Sequence, residues 1–378
     1  MRAFKFRMYP SKAIQKKMQT HLWLSKQLWN EMLAFTKELY AHHAVFPTKR
    51  SLREIVKGTG LHSQVAQELV DRLSDAVERK ITMKKQGIKA GFPRFKSIDQ
   101  MKSLVYPQSG FTLHDKKLFI SPFGEINIKK HREMNGTIKT LTIKREASGK
   151  WFAIFAVEEL PSTPMENNGA AVGIDFGLKN LATFSDGTTI KNPRHILEYE
   201  EKLISLQKRL SKKKKGSSNR KRIKQKLARA YEKLKNSRSD FLHKLSNQLV
   251  HSHSLIALED LSIQHMVQEK FGKSIHDVAW NSFTHMLCYK APSAGCKVVL
   301  VNPRNTTKAC SQCGSLSEKK LSDRIHACPF CGLTMDRDIN AAINILTKAT
   351  AGTAESYASG DRTIVLSRKE DATCFSAW

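Results

Sequence analysis

The chain has 378 residues and an apolar content of 40%, which is enough for two or three domains with a sizeable core. Its 64 Lys and Arg against 34 Asp and Glu give a net charge of +30, spread over the chain, which favours a nucleic-acid partner over a membrane surface. The seven cysteines, four of them in two CxxC pairs, argue against a disulfide framework, and no apolar run approaches the length of a membrane span.

The N-terminal part of the chain predicts a β-domain that is interrupted by helices. Residues 2–8 alternate between apolar and charged side chains, which predicts a half-buried strand. From Ser11, a potential N-cap, to about residue 86, apolar residues recur at helical spacing and predict a small bundle. Six short β-patterned segments follow between residues 103 and 158, so the whole pattern predicts a β-barrel with a helical insertion.

A loop between the helical and β-rich parts interleaves aromatic and basic residues. Residues 91–96 read GFPRFK, in which Arg94 and Lys96 are candidate contacts to a nucleic-acid backbone and the rings are candidates for base stacking. An ordinary packed loop explains the same pattern equally well. Residues 161–170 are polar and predict a linker at a domain boundary.

The second half of the chain predicts a mixed α/β domain whose strands end in acidic residues. An apolar strand pattern at 171–174 ends on Asp175, and another at 254–258 ends on Glu259. A helix is predicted over about 274–290. A central strand that ends on an acidic residue and is followed by a hairpin is typical of the start of an RNase H-like sheet.

Residues 197–250, between these strands, predict a long and very basic helical hairpin. Residues 201–238 include sixteen Lys or Arg and two Glu. This imbalance predicts a surface that contacts phosphates, with an ordinary solvated face as the alternative. The candidate contact residues are Lys212, Lys213, Lys214, Arg220, Lys221 and Arg222.

Two cysteine pairs give the most specific signal in the sequence. Cys310 and Cys313 are separated by fourteen residues from Cys328 and Cys331, and a glycine follows each pair. Four thiolates in two such turns can surround one structural Zn²⁺, which is favoured over four free thiols. His326 lies near the second pair, but we do not expect it to bind the metal because four thiolates already complete the site.

A third acidic candidate, Asp338, opens a helical pattern at about 338–348. It follows Glu259 by 79 residues, and Glu259 follows Asp175 by 84 residues, so no local motif links them. Taken singly, each could be a helix cap, a turn residue or a strand end. Taken together with the basic charge and the cysteine pairs, they predict a Mg²⁺ site for phosphodiester hydrolysis, in which two ions activate water and stabilise the leaving oxygen.

The segments AVGIDFG, IALEDL, the two CxxC pairs and DRDINAAINIL, in this order, resemble the TnpB family of transposon-encoded RNA-guided DNA endonucleases. The resemblance covers most of the chain, since FPRFKS, GKWF, YKA and VNPRNTTKACSQCG also look like family segments. It implies an α/β multidomain fold, with an N-terminal β-barrel wedge domain that contains a helical recognition insertion. An RNase H-like RuvC domain with an inserted zinc finger would follow.

The implied boundaries follow from that order of domains. They are a first wedge strand at 1–10, a helical recognition insertion at 11–90, the rest of the wedge barrel at 91–165, a RuvC domain at 166–305 that includes the hairpin 197–250, a zinc finger at 306–334, a final RuvC helix at 335–350 and a flexible tail at 351–378.

The resemblance also implies an activity. Asp175, Glu259 and Asp338 match the RuvC carboxylates that bind Mg²⁺, and Asp338 is preferred to Asp336 because the family ligand is the second Asp of DRDIN. The implied protein is a prokaryotic, cytoplasmic and nucleoid-associated monomer. It would bind a guide RNA from the transposon end, recognise a short motif beside double-stranded target DNA and cut both strands.

Three alternatives to this activity stay open. A minimal type V CRISPR effector would have the same chemistry. An RNA-guided DNA-binding regulator would bind without cleavage. A transposase proper ranks last, because no tyrosine or His-x-His arrangement for strand transfer is evident.

Overall fold

The computed structural model describes residues 1–159, 165–261, 279–319 and 323–356. The chain divides into two compact units, and each is described by itself. The first comprises Met1–Pro161 and Lys213–Arg229, and the second comprises Ser162–Lys212 and Ala230–Trp378. Parts of the predicted linker (161–164) and of the predicted tail (357–378) lie outside the described residues.

The first unit is built on a seven-stranded antiparallel sheet that nearly closes into a barrel. Its strands are β1 (Arg2–Tyr9), β2 (Ser103–Tyr106), β3 (Phe111–His114), β4 (Lys117–Ile120), β5 (Gly124–Lys129), β6 (Thr137–Arg145) and β7 (Trp151–Glu158). They are arranged in the order β2-β6-β7-β1-β5-β4-β3. These strands confirm the six β-patterned segments predicted between residues 103 and 158.

Strand β1 lies in the middle of this sheet, between β5 and β7. Its alternate residues Phe4, Phe6 and Met8 are buried, while the charged residues between them face outwards. The alternation that predicts a half-buried strand is therefore confirmed, because one face of the strand packs on the core and the other meets solvent.

Three helices are inserted between β1 and β2, as the sequence predicts. They are α1 (Lys12–His43), α2 (Lys49–Val56) and α3 (Ser63–Lys85). Ser11 caps α1, since its side chain accepts a hydrogen bond from the Ile14 N–H at 3.3 Å. The buried faces of these helices share one hydrophobic core with the sheet.

The basic hairpin consists of α4 (His195–Ser211) and α5 (Ser218–Ser252). Its turn and the first third of α5, residues 213–229, group with the first unit, whereas the sequence analysis assigned the whole hairpin to the second domain. A local contact explains the difference, because Gln225 Nε2 donates a hydrogen bond to the Ser148 backbone oxygen at 3.2 Å. Periodicity in the hairpin could not show this contact.

The second unit contains a five-stranded mixed sheet. Its strands are β8 (Ala171–Phe176), β9 (Asn180–Phe184), β10 (Thr189–Lys191), β11 (Leu255–Glu259) and β12 (Lys297–Val301). The order is β10-β9-β8-β11-β12, in which β8, β11 and β12 are parallel and the β8-β9-β10 pairings are antiparallel. Helix α6 (Trp280–Lys290) corresponds to the helix predicted over 274–290, of which residues 274–278 lie outside the described residues.

The last helix, α7 (Arg337–Ser356), is longer than predicted. The sequence predicts that it ends at about residue 348 and that a flexible tail begins at 351. The apolar spacing continues, however, and Ile345 and Ala349 are buried against residues of β11 and β12. This packing holds the part of α7 before Gly352 on the sheet, and the helix continues to Ser356.

A small hairpin that the sequence did not predict lies in the cysteine segment. It pairs β13 (Ile325–Ala327) with β14 (Thr334–Asp336) in antiparallel fashion, immediately before α7. Among the helices in the described ranges, none is long and apolar enough to cross a membrane.

Candidate active site and cysteine module

Two of the three predicted carboxylates lie side by side at the carboxyl end of the parallel strands. Strands β8 and β11 pair in parallel, and the last residues paired between them are Ile174 and Leu258. The residues that follow, Asp175 and Glu259, therefore stand at the same level. Because side chains alternate along a strand and neighbouring strands are about 4.8 Å apart, both carboxylates project from the same face at adjacent positions.

Helix α7 brings the third carboxylate to this face. It crosses β8 at Gly173, where a Cβ atom would lie 2.1 Å from the Ala342 backbone oxygen, so glycine is required for the close approach. Gly173 and Asp175 are two residues apart and point to the same face of the sheet. Asp338 precedes Ala342 by about one helical turn. It therefore lies at the N-terminal end of α7, beside the ends of β8 and β11.

The pKa shifts of the acidic residues reflect this arrangement. The pKa of Asp175 is raised well above its usual value, first by burial and then by the negative charges of Glu259 and Asp338. Burial also raises the pKa of Glu259, while a hydrogen bond from Thr306 and the charge of Lys348 oppose that shift. Mutually repelling carboxylates of this kind favour the binding of a divalent cation, which would stabilise their ionised forms.

Glu259 and Asp338 each have a further partner. Glu259 Oε1 accepts a hydrogen bond from Thr306 Oγ1 at 2.5 Å. Asp338 Oδ1 accepts two from the Arg337 side chain, from Nε at 3.2 Å and from Nη2 at 3.1 Å. Within the described ranges the three carboxylates do not form as tight a group as the four cysteines. They interact electrostatically without forming a closed cage.

Asp336, the alternative to Asp338, has a different role. Its Oδ1 accepts hydrogen bonds from the backbone N–H of Asp338 at 2.8 Å and of Ile339 at 3.2 Å, so Asp336 caps α7. The carboxylate of Asp338 is not used for capping and can serve as a ligand.

A group of residues that the sequence analysis missed fastens α7 to the loop formed by residues 302–309. Asn340, Asn344 and Lys348 recur at every fourth position and therefore lie on one face of the helix; we call them the polar ladder. All three side chains donate hydrogen bonds to backbone oxygens of the loop. Asn340 Nδ2 and Asn344 Nδ2 each donate to Ala309 at 2.8 Å, and Asn344 Nδ2 also donates to Thr306 at 2.8 Å. Lys348 Nζ donates to Arg304 at 2.5 Å and to Asn302 at 3.3 Å. The spacing of these polar residues opposite an apolar helix face is the signal that could have revealed them.

The four cysteines meet as their spacing predicts. Their Sγ atoms all lie within 4.8 Å of one another, and the Cys310–Cys331 and Cys313–Cys328 sulfur pairs are each 3.6 Å apart. Four sulfurs arranged tetrahedrally about 2.3 Å from one zinc ion are about 3.8 Å apart, so the observed spacing fits Zn²⁺. The group can therefore hold a structural metal such as zinc.

Each CxxC pair forms the same kind of turn. The Gly314 N–H donates to the Cys310 oxygen at 2.9 Å, and the Gly332 N–H donates to the Cys328 oxygen at 3.1 Å. The two glycines have φ angles of 75° and 74°, in the left-handed region where glycine is favoured. The glycine after each pair therefore has the backbone role that its position indicates.

The electrostatics of the sulfurs also suit a bound cation. Hydrogen bonds from Ser315 lower the pKa of Cys313 to about 6, which favours the thiolate that zinc binds. Cys331 accepts a hydrogen bond from the Leu333 N–H, which lowers its pKa, but burial and the neighbouring sulfurs raise it to about 12. One thiolate therefore opposes the ionisation of the next, and a dication between them would remove that repulsion.

His326 does not join the sulfur group. It is fully buried, and its Nδ1 contacts the Lys319 ammonium group.

The candidate nucleic-acid contacts differ in how accessible their side chains are. Arg94 is exposed, but the Lys96 ammonium lies 3.3 Å from the centre of the Trp29 ring, and the Lys96 N–H donates to Asn30 Oδ1 at 2.8 Å. Burial, and then the charge of Arg72, lower the pKa of Lys96 to about 8. The Lys96 side chain therefore packs on α1, a contact that its position in the sequence does not indicate.

The hairpin candidates are mostly exposed. Arg220 is half-buried and donates through its guanidinium to the Lys213 backbone oxygen at 2.9 Å, which closes the turn. The exposed candidates are Lys212, Lys213, Lys214, Lys221 and Arg222.

The fold is the mixed α/β fold of compact Cas12 effectors. The structure of a Cas12f1-sgRNA-target DNA complex matches 89% of this chain and 83% of that chain, with a TM-score of 0.59 and 15% identity. A family profile described as "Cas12f1-like, TNB domain" matches residues 280–345, and one described as "Probable transposase" matches residues 154–270.

Curated relatives identify the family. A protein from Streptomyces pristinaespiralis named putative RNA-guided DNA endonuclease is 35% identical over 270 residues, which cover 70% of this chain and 67% of that protein. The putative RNA-guided DNA endonuclease InsQ of Escherichia coli K12 is 29% identical over 377 residues, 93% of each chain. The chain belongs to the TnpB family of RNA-guided DNA endonucleases.

One further profile has a description that the structure does not match. It is described as "Helix-turn-helix domain" and covers residues 1–44. Those residues form strand β1 and the single continuous helix α1. They therefore lack the turn that would place a second helix in the major groove.

Proposed function

We propose that this chain is an RNA-guided DNA endonuclease of a mobile element, with one RuvC-type site formed by Asp175, Glu259 and Asp338. The observation that supports the proposal is the packing of α7 across β8 beside the β8–β11 register, together with the effect of the Glu259 and Asp338 charges on the pKa of Asp175. The names of the curated relatives support the same activity.

Each residue would have a different role at this site. The charges of Glu259 and Asp338 both act on Asp175, Thr306 binds one oxygen of Glu259, and α7 carries Asp338. Two Mg²⁺ ions bound by these oxygen ligands would activate a water molecule and stabilise the leaving 3′ oxygen. The cysteine module would hold Zn²⁺ as a structural ion, since four thiolates leave no open position for a substrate.

We further propose the partners and the domain roles. The barrel with its helical insertion would be the wedge and recognition part, and the second unit would be the RuvC domain with its zinc finger. The protein would act as a monomer with a guide RNA from the transposon end and cut double-stranded DNA beside a short flanking motif. The exposed hairpin lysines and Arg94 would contact phosphates, while base pairing reads the sequence.

The test begins with the RNA that copurifies with the full chain, which is sequenced to give the guide. A DNA duplex that matches the guide should be cut in the presence of Mg²⁺. Asp175→Ala should abolish cutting and leave DNA binding intact. Asp240→Ala is the control, because Asp240 is an exposed helix residue that forms a surface ion pair with Lys244.

The outcomes separate the alternatives. Cutting that survives Asp175→Ala would show that the site is wrongly assigned. Binding without cutting by the unmodified protein, in both Mg²⁺ and Mn²⁺, would select the regulator. Strand joining would select a transposase.

A further inference from the structure

We infer that Thr306 is a positioning residue that fixes the carboxylate of Glu259 for metal binding, and that the polar ladder of α7 holds Thr306 in place. The inference rests on the proposed function and adds residues outside the three carboxylates. One helix then positions two metal ligands, because α7 carries Asp338 itself and holds the loop whose Thr306 binds Glu259.

The Thr306 hydroxyl is placed to bind one particular carboxylate oxygen. Thr306 is 1% exposed, and its Oγ1 lies 2.5 Å from Glu259 Oε1 and 2.9 Å from the Pro303 backbone oxygen. A hydroxyl has one proton to donate, and a hydrogen bond to a charged carboxylate is stronger than one to a neutral carbonyl. Thr306 therefore fixes Oε1 and leaves Oε2 of Glu259 as the atom available to a cation.

The loop that contains Thr306 needs an external support to place a hydroxyl accurately. Residues 302–308 form turns without a helix or strand. The ladder supplies the support, because Asn344 Nδ2 donates to the Thr306 oxygen at 2.8 Å and Lys348 Nζ donates to the Arg304 oxygen at 2.5 Å. These bonds fix the loop backbone on both sides of the Thr306 Cα.

The ladder also joins the cysteine module to the same helix. Asn340 Oδ1 accepts a hydrogen bond from the Ser311 N–H at 2.9 Å, and Asn340 Nδ2 donates to the Ala309 oxygen at 2.8 Å. Ser311 follows Cys310, the first sulfur of the module. A well-ordered cysteine module therefore stabilises α7 and the loop, and through them the position of Glu259.

The experiment compares two substitutions at Thr306 in the full chain with its RNA. Thr306→Val removes the hydroxyl and keeps the branched shape, whereas Thr306→Ser keeps the hydroxyl. Thr307→Val is the matched control one residue away. The Mg²⁺ concentration that gives half-maximal cutting should rise about 10- to 100-fold for Thr306→Val, as loss of a group that orients a metal ligand does. It should stay near the original value for the other two variants.

A second measurement does not depend on cutting. Mn²⁺ binding to the protein without RNA, followed by electron paramagnetic resonance, should weaken in Thr306→Val and recover in Thr306→Ser. Affinity for the matched DNA should not change in any variant, because Thr306 is buried.

The outcomes are distinguishable from a failure of the proposed function. If the unmodified protein does not cut, the endonuclease proposal fails, but the Mn²⁺ comparison still tests Thr306. If Thr306→Val keeps the original Mg²⁺ requirement and Mn²⁺ affinity, the inference is overturned. If Thr306→Val does not fold, Asn344→Ala takes its place and should raise the Mg²⁺ requirement by weakening the hold on the loop; an unchanged requirement there overturns the inference as well.

Discussion

Helix α7 approaches the sheet closely at Gly173, and Gly173→Ala tests whether that approach sets the carboxylate geometry. The added Cβ atom would lie 2.1 Å from the Ala342 oxygen and 2.8 Å from the Leu346 nitrogen. Both atoms belong to the helix backbone, so no side-chain rotation relieves the clash. The helix must move away from β8 by roughly 1 Å, as happens when a well-packed core is overfilled.

The structure gives the size of the expected effects. Overpacking of this kind costs about 1–3 kcal/mol of unfolding free energy. In a unit of some 200 residues, each kcal/mol lowers Tm by about 2–4 °C. The same movement shifts Asp338 relative to Asp175, and a misplacement of about 1 Å at a reacting centre costs about 100-fold in rate.

The assay measures three quantities on Gly173→Ala with its RNA. The single-turnover cutting rate should fall about 100-fold, DNA affinity should be retained, and Tm should fall. Gly91→Ala is the control for stability, because a Cβ at Gly91 meets nothing within 4 Å and should leave Tm unchanged. A Gly173→Ala protein that cuts at the original rate would refute the reasoning that the helix approach places the carboxylates.

Three further predictions concern the helix start, the cysteine module and the basic hairpin. Asp336→Ala should lose a helix cap and about 1 kcal/mol of stability while cutting remains, whereas Asp338→Asn should abolish cutting with little change in Tm; the reverse pattern would exchange their roles. Cys310→Ser should lower Tm and the zinc content measured by elemental analysis, and an unchanged content would contradict a four-sulfur site. Replacing the three lysines at 212–214 by Gln should weaken RNA binding and flatten its salt dependence by about 2–3 in log–log slope, and an unchanged slope would mean that they contact no phosphate.

Features with a local physical cause could be predicted from the sequence. The alternation around Phe4 and Phe6 predicts β1 because burial on one side of a strand imposes a period of two. The cysteine pairs predict a four-sulfur group because each pair needs only one tight turn to bring its sulfurs together. Neither inference needs knowledge of how distant segments pack.

Features that depend on packing between distant segments could not be predicted in this way. The spacing of Asp175, Glu259 and Asp338 along the chain does not show how they approach one another. Their placement at strand ends and at a helix start suggested a shared site, and the family resemblance implied the role of each residue. Thr306 was missed because its partner, Glu259, lies 47 residues earlier in the chain. Lys96 stays a candidate phosphate contact, but a sequence does not show the Trp29 ring over which its ammonium lies.

The polar ladder has a consequence for how this protein can vary. Asn340, Asn344 and Lys348 donate to main-chain oxygens, and every residue type supplies such an oxygen. These hydrogen bonds therefore do not depend on which side chains stand at the accepting loop positions, whereas they do depend on the three helix positions. Exchange of the exposed Arg304 side chain, for example, should leave the attachment intact at very little distance from the chemistry.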